Sequence, residues 1–287
     1  MNRLRDKRNI QIEITNACNL RCVNCSRFVG LHNESFFMEL DKIEQALQSL
    51  EGFKGTIGCM GGEPTLHPQF AQICELFQKD IPYENRGLWT NGCNWKQYET
   101  EIRKTFPINH IVFNDHNFEY KGYHQPLLIA SNEIIKNKKL RSELIDKCWI
   151  YERWSASISP EGAFFCEVAC ALDYLFELGG GWRIKKGWWK RQNIQDQVDK
   201  YCSLCSAAIP FDEDVYKSNL QYISPKNYEN LLLKKNVVLY NKKYTRKDYE
   251  KNVKNWNPGT FRDFYQHEPD KRLTKKEEEE LQCLKYS

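Results

Sequence analysis

The chain has 287 residues, 41% of them hydrophobic and 28% charged, with a formal net charge of +4 and a mean hydropathy of -0.70. This allows one large domain with a small satellite and argues against a membrane span. The most apolar stretch, 163–178, is interrupted by Glu167, Asp173 and Glu177, and falls short of the roughly 20 apolar residues a bilayer needs.

The charge sits in the tail. From Ser224 onward there are 15 Lys and Arg against 10 Asp and Glu, so the body is close to neutral. Neither a nucleic acid nor a membrane is an expected partner. Residues 1–8 are basic, but the following strand-like run, 10–15, is too short and polar for a secretory signal. The expected location is the cytoplasm, where disulfides are rare and clustered cysteines point to metal binding or catalysis.

In chain order, residues 10–15 alternate as a strand does. A long loop with three cysteines follows, then helical spacing over 40–50. A second strand at 55–59 ends in Gly61-Gly62-Glu63-Pro64. Residues 70–77 read as a helix, 86–90 as a third strand ending at Asn91-Gly92, and 98–105 as a helix. A fourth strand is expected at 110–114, a fifth at 127–130, and a helix over 131–146. Alternation of this kind predicts an α/β fold, a partial (β/α) TIM-type barrel, with unusual loops at the C-terminal strand ends where such folds carry their sites. Residues 154–166 read as strand, turn, strand, and 193–201 as a helix; together they predict a small β-hairpin/helix domain. After Pro210 the chain turns polar, with no clear period. The expected domains are therefore 1–147, 148–210 and a basic, aromatic-containing extension at 211–287.

The 12 cysteines are grouped. Cys18, Cys22 and Cys25 form C-x3-C-x2-C, and Cys202 and Cys205 form C-x2-C. Cys148, Cys166 and Cys170 lie between these groups. Cys59, Cys74, Cys93 and Cys283 stand alone and read as packing residues. Three thiolates on one loop are able to hold an iron–sulfur cluster with one iron left open. The alternative, a structural zinc, needs a fourth ligand, and the next candidate in sequence is His32.

The loop Cys18-Asn-Leu-Arg-Cys22-Val-Asn-Cys25, the Gly61-Gly62-Glu63-Pro64 run and Thr90-Asn91-Gly92 follow three successive strands. In that order they resemble the radical S-adenosylmethionine (SAM) family over residues 10 to about 147. The resemblance implies a [4Fe–4S] cluster on Cys18, Cys22 and Cys25 whose open iron chelates SAM. It also implies reductive cleavage to methionine and a 5′-deoxyadenosyl radical, fed by a donor such as flavodoxin or ferredoxin. Gly61, Gly62, Glu63, Thr90, Asn91 and Asn114 are the SAM-binding candidates: Glu63 for the ammonium group, the glycines for close backbone approach, and Asn114, ahead of Asp115, for the ribose or carboxylate. One departure is Asn24, where the family usually has an aromatic residue near the adenine.

Cys148, Cys166, Cys202 and Cys205 form a possible four-thiolate site, with Cys170 open as a rival to Cys166. The layout resembles the twitch/SPASM auxiliary-cluster domains of that family, and within it the 2-deoxy-scyllo-inosamine dehydrogenases. This implies a second [4Fe–4S] cluster that takes an electron from a substrate radical. The resulting expectation is an oxidoreductase acting on a small polar substrate, sugar or cyclitol-like. Asp115, Glu152 and Glu167 are the candidate proton acceptors; Arg153 and His116 have no better support. A ribosomally made peptide is the alternative substrate, although the first strand begins near Ile10 and no leader-binding domain is expected before it. A zinc-stabilised RNA-binding module would explain the cysteines and basic tail but not the Gly61–Pro64 run. In the tail, rings such as Tyr228 and Tyr244 are expected to pack on the body, with lysines solvated.

Overall fold

The alternating run around Ile12 becomes the central strand of a six-stranded sheet, ordered β4-β3-β2-β1-β5-β6. The structure, a computed structural model, describes residues 4–114, 124–211, 215, 220–234 and 241–252. Its strands are β1 (Asn9–Thr15), β2 (Thr56–Gly61), β3 (Arg86–Thr90), β4 (Ile111–Phe113), β5 (Ala156–Ser159) and β6 (Gly162–Phe164). Strands β1 to β5 run parallel, and only β6 is antiparallel. Parallel neighbours need long crossovers, which contain α1 (Leu40–Ser49), α2 (Phe70–Asp80) and α3 (Trp95–Thr105). The end strands β4 and β6 do not pair with each other among the described residues, so the sheet is open, as a partial barrel is.

Each helix forms where one face is apolar. In α1 the buried set is Ile43, Ala46 and Leu47, with Asp41 in the first turn, where it favours the helix dipole. In α2 it is Phe70, Ile73, Cys74 and Phe77. These residues share one core with Ile10, Ile12 and Ile14 of β1. Truncating any of these three isoleucines to alanine would cost about 2–5 kcal/mol.

Alternation in β1 suggests a solvated polar face, but Gln11, Glu13 and Thr15 are also buried. The central strand of a parallel sheet is covered on both sides. Here the second side is lined by polar groups that satisfy one another.

Three expectations need correction. Residues 127–130 are not a strand of the main sheet; Leu128 makes one isolated bridge, to Ile223. Its carbonyl accepts instead from Ser224 N at 3.1 Å and Asn227 Nδ2 at 2.9 Å. The expected helix over 131–146 is two, α4 (Ser131–Ile134) and α5 (Lys138–Asp146). Asn137 restarts the second, its side chain accepting from Leu140 N at 3.1 Å, an N-cap bond. Finally, the hairpin at 154–166 does not stand apart. Its strand β5 pairs with β1, Ile10 opposite Ala156 and Ile12 opposite Ile158, so it extends the main sheet on the edge opposite β4.

Beyond the hairpin, α6 (Trp149–Arg153) precedes β5 and α7 (Glu167–Phe176) follows β6. A short turn, Gln195–Gln197, leads into a π-helical turn, Val198–Cys202. The extension, without clear period in sequence, contains the parallel pair β7 (Gln221–Ile223) and β8 (Asn241–Lys243) and the helices Pro225–Leu233 and Arg246–Asn252. Tyr222, Tyr244 and Tyr249 share a second core with Ile129 and Ile134, the ring packing expected of the tail. Tyr240, Trp256, Phe261, Phe264, Tyr265 and Cys283 lie outside the described residues. No described helix is long and apolar enough to cross a membrane.

Candidate metal centres

The first three cysteines lie on the loop leaving β1, close enough that Cys22 feels both Cys25 and Cys18, and Cys18 feels Cys25. Burial pushes the Cys18 thiol up to about 11 and Cys22 to about 12. Thiolates at these positions need a cation beside them, which suits iron as the partner. Leu20 N donates to Cys18 Sγ at 3.4 Å and Asn91 Nδ2 at 3.7 Å. Such donors tune a ligating sulfur.

Strand ends β2 and β3 are knotted beside that loop by Glu63, which is fully buried. Its Oε1 accepts from Thr65 N at 3.1 Å, Thr65 Oγ1 at 2.7 Å and Thr90 Oγ1 at 2.7 Å. Its Oε2 accepts from Asn91 N at 2.6 Å. Four neutral donors thus occupy the carboxylate, and Oε2 keeps spare acceptor capacity for a cationic ligand. Asn91 extends the knot, with Nδ2 donating to Asn19 Oδ1 at 2.9 Å. Asn114, half-buried at the end of β4, donates its backbone N–H to Thr90 O at 2.8 Å.

The glycines sit where a side chain has no room. A Cβ on Gly61 would lie 2.1 Å from Thr15 O, and one on Gly62 2.3 Å from Ala17 O. The close approach is to the chain's own backbone: Gly62 N donates to Thr15 O at 2.8 Å and Glu63 N to Ala17 O at 2.7 Å. The Gly-Gly pair straps the end of β2 to the start of the cysteine loop.

The second set also converges. Cys148, Cys166, Cys202 and Cys205 line one pocket with Tyr151 and Tyr201, with about 400 Å³ of space counted out to its open mouth. Cys148 is the N-cap of α6 and Cys166 the N-cap of α7. Amides of Ile150 and Tyr151 face the first sulfur, and those of Val168 and Ala169 the second. Ala207 N donates to Cys205 Sγ at 3.3 Å. Burial pushes all four thiols up, Cys148 to about 12, and neighbouring thiolates push Cys148 and Cys202 further. Lys7 lies on the same side; its ammonium donates to Tyr151 O and is lowered by burial to about 8. Among the described residues no three His, Cys, Asp or Glu side chains are close enough to hold a single metal ion.

Cys170 points elsewhere. It is not in this pocket and lies against Glu13 and Ser159. Cys59 and Cys74 are buried as expected, whereas Cys93 is exposed, its Sγ 3.8 Å from Thr65 Oγ1.

Of the proton-acceptor candidates, Asp115 lies outside the described residues, as does His116. Glu152 and Arg153 are exposed on α6. Glu167 is buried and paired: Oε1 pairs with Arg27 Nη1 at 2.9 Å and Oε2 accepts from Ser155 N at 3.2 Å and from its hydroxyl. Arg27 also donates to Gln11 Oε1 at 2.6 Å and lies 3.4 Å from Glu13 Oε1. Burial raises the Glu13 carboxyl against the pull of Arg27. For Arg27 itself, the two carboxylates outweigh burial and keep it charged. Sequence reasoning missed this network; the polar positions of β1 were its only trace.

The loop of three half-buried thiols thus lies against the ends of β2 and β3. Residues 12–114 match the family model described as the Radical SAM superfamily, just over a third of the chain. No curated protein sequence matches. Two solved structures of BtrN are similar in part. The one titled as a complex with AdoMet and 2-DOIA is 17% identical and covers 56% of this chain and 73% of its own, with a TM-score of 0.39. The one in an open conformation is 16% identical and covers 74% of this chain and 99% of its own, with a TM-score of 0.45.

Proposed function

We propose that the chain is a radical SAM oxidoreductase that oxidises a small polar substrate, sugar or cyclitol-like, with a second iron–sulfur cluster as electron acceptor. One observation carries the reading: four thiols from three separate segments, Cys148, Cys166 and the Cys202–Cys205 pair, line a single pocket. Four thiolates are able to hold a multi-iron cluster. The site fits thiolates, with two helix N-caps and one N–H···S bond among its donors.

Cys18, Cys22 and Cys25 would hold the first cluster, which with bound SAM supplies a carbon radical able to remove a hydrogen atom from substrate. Glu63 Oε2 has acceptor capacity for an ammonium, and Asn91 and Asn114 stand at the adjacent strand ends. Taking a secondary alcohol to a ketone removes two electrons and two protons. Once a hydrogen atom has gone, one proton and one electron remain. The second cluster would supply a place for that electron, with four protein ligands leaving no iron open to substrate. The cysteine layout, similar to that of 2-deoxy-scyllo-inosamine dehydrogenases, supports an aminocyclitol or sugar.

The test is anaerobic reconstitution with iron and sulfide, then SAM and dithionite. The expected outcome is 5′-deoxyadenosine from the native chain and none from Cys22→Ala. Cys205→Ala is expected to keep that product while losing roughly half the iron. Zinc in the second pocket, with full 5′-deoxyadenosine formation, would exclude the acceptor role.

A further inference from the structure

Asn24 stands between Cys22 and Cys25 with φ 54, in the left-handed region that non-glycine residues seldom occupy. It is buried, 1% exposed, and its partners come from β7. Asn24 N donates to Gln221 Oε1 at 2.8 Å. Asn24 Nδ2 donates to Leu220 O at 3.1 Å. In return, Gln221 Nε2 donates to Asn24 Oδ1 at 3.0 Å and Tyr222 N to the same oxygen at 3.3 Å. Every polar group of the Asn24 side chain is engaged, as is its backbone amide. Gln221, buried at 6%, presents its whole amide to Asn24.

The strain is local and doubled. Phe28, on the other side of Cys25, also has φ 54, which is costly for an aromatic residue and persists only where surroundings impose it. Phe28 is held by burial, at 1% exposed, and its neighbour Arg27 by the ion pairs to Glu13 and Glu167. On the Asn24 side the restraint comes from a segment nearly 200 positions away.

We propose that Asn24 and Gln221 are positioning residues: the C-terminal segment clamps the cysteine loop through them and sets the conformation in which Cys22 and Cys25 present their sulfurs. The two amides pair reciprocally in a buried site, where a partner left unmatched is penalised. β7 is in turn anchored to the body, with Leu128 bridging Ile223 and Asn227 Nδ2 donating to Leu204 O at 2.8 Å. The extension is therefore a structural part of the first metal site and not an appendage.

Hydrogen exchange of the full-length chain, with and without reconstituted iron, tests the clamp. In Gln221→Ala the amides of residues 20–28 are expected to exchange roughly tenfold faster, while those of β1 and β2 keep their native rates. Asn24→Gly tolerates the left-handed backbone but loses the side chain, and is expected to loosen the loop likewise. Asn24→Asp keeps the acceptor for Gln221 and Tyr222 but sets an oxygen against Leu220 O in place of the Nδ2 donor, and is expected to loosen the loop as well. Iron bound after reconstitution is expected to fall in Gln221→Ala and Asn24→Gly, since the loop no longer holds Cys22 and Cys25 in place, and native iron content in both would overturn the positioning role. Native exchange of the loop in both Gln221→Ala and Asn24→Gly overturns the proposal, and so does global unfolding of both, since a clamp local to the loop leaves the sheet standing. The iron-free arm reads the clamp independently of the proposed reaction: failure of the native chain to form 5′-deoxyadenosine would sink that reaction and leave this result unaffected.

Discussion

Arg27 and Glu167 are 140 positions apart in sequence, and their side chains meet at 2.9 Å in a buried ion pair. Arg27 lies two residues after Cys25, and Glu167 directly follows Cys166, so one contact joins the loop of the first three cysteines to the wall of the second pocket. Truncation of Glu167 leaves a buried guanidinium short of a partner. Glu167→Ala is expected to lose about 3–5 kcal/mol of stability, read as a lower urea midpoint. A proton acceptor would behave differently, losing turnover at unchanged stability.

The strap between β2 and the first cysteine loop makes a separate prediction. Gly62→Ala places a methyl 2.3 Å from the Ala17 carbonyl, and backbone on both sides has to shift. The expected cost is about 1–3 kcal/mol. Glu63 moves with its neighbour, so SAM binding should weaken as well. Calorimetry of the folded variant with SAM reads the second effect; native affinity would mean that the strap does not orient Glu63.

Much of this was legible in the sequence, and the remainder was hidden for physical reasons. The strands, the cysteine groups and the loop order are local patterns, and the chain keeps them: Arg86–Thr90 is the strand expected. Partners drawn from distant segments have no local signature. Nothing near Ser157 indicates that β5 pairs with β1, and nothing near Gln221 announces Asn24. The break at Asn137 was readable, since an asparagine before a helical run is a good N-cap. For Glu167, sequence gives its neighbour, Cys166, and not its partner, Arg27.

Geometry separates Cys166 from Cys170, which sequence left open. Cys166 shares the pocket with Cys148, Cys202 and Cys205, whereas Cys170 lies against Glu13 and Ser159. After anaerobic reconstitution, Cys166→Ala is expected to lose roughly half the iron and Cys170→Ala none. Equal iron loss in the two variants would contradict this assignment.

His67, just beyond the Gly61–Pro64 run, gives a pH dependence whose sign is fixed by its hydrogen bonds. Gln69 N donates to Nδ1 at 3.1 Å, so Nδ1 carries no proton and Nε2 is the donor to Met38 O, at 3.0 Å. The ring is therefore neutral, and burial lowers it below its ordinary value of 6.5. The unfolded chain takes up the proton first as pH falls. Stability from this group is thus fully present above about 6.5 and is lost as pH falls toward the depressed folded value. Urea unfolding at successive pH values from neutral downward is expected to show a steeper acid loss in the native chain than in His67→Gln, which has no proton to gain. Parallel curves for the two would mean that His67 does not carry the acid sensitivity.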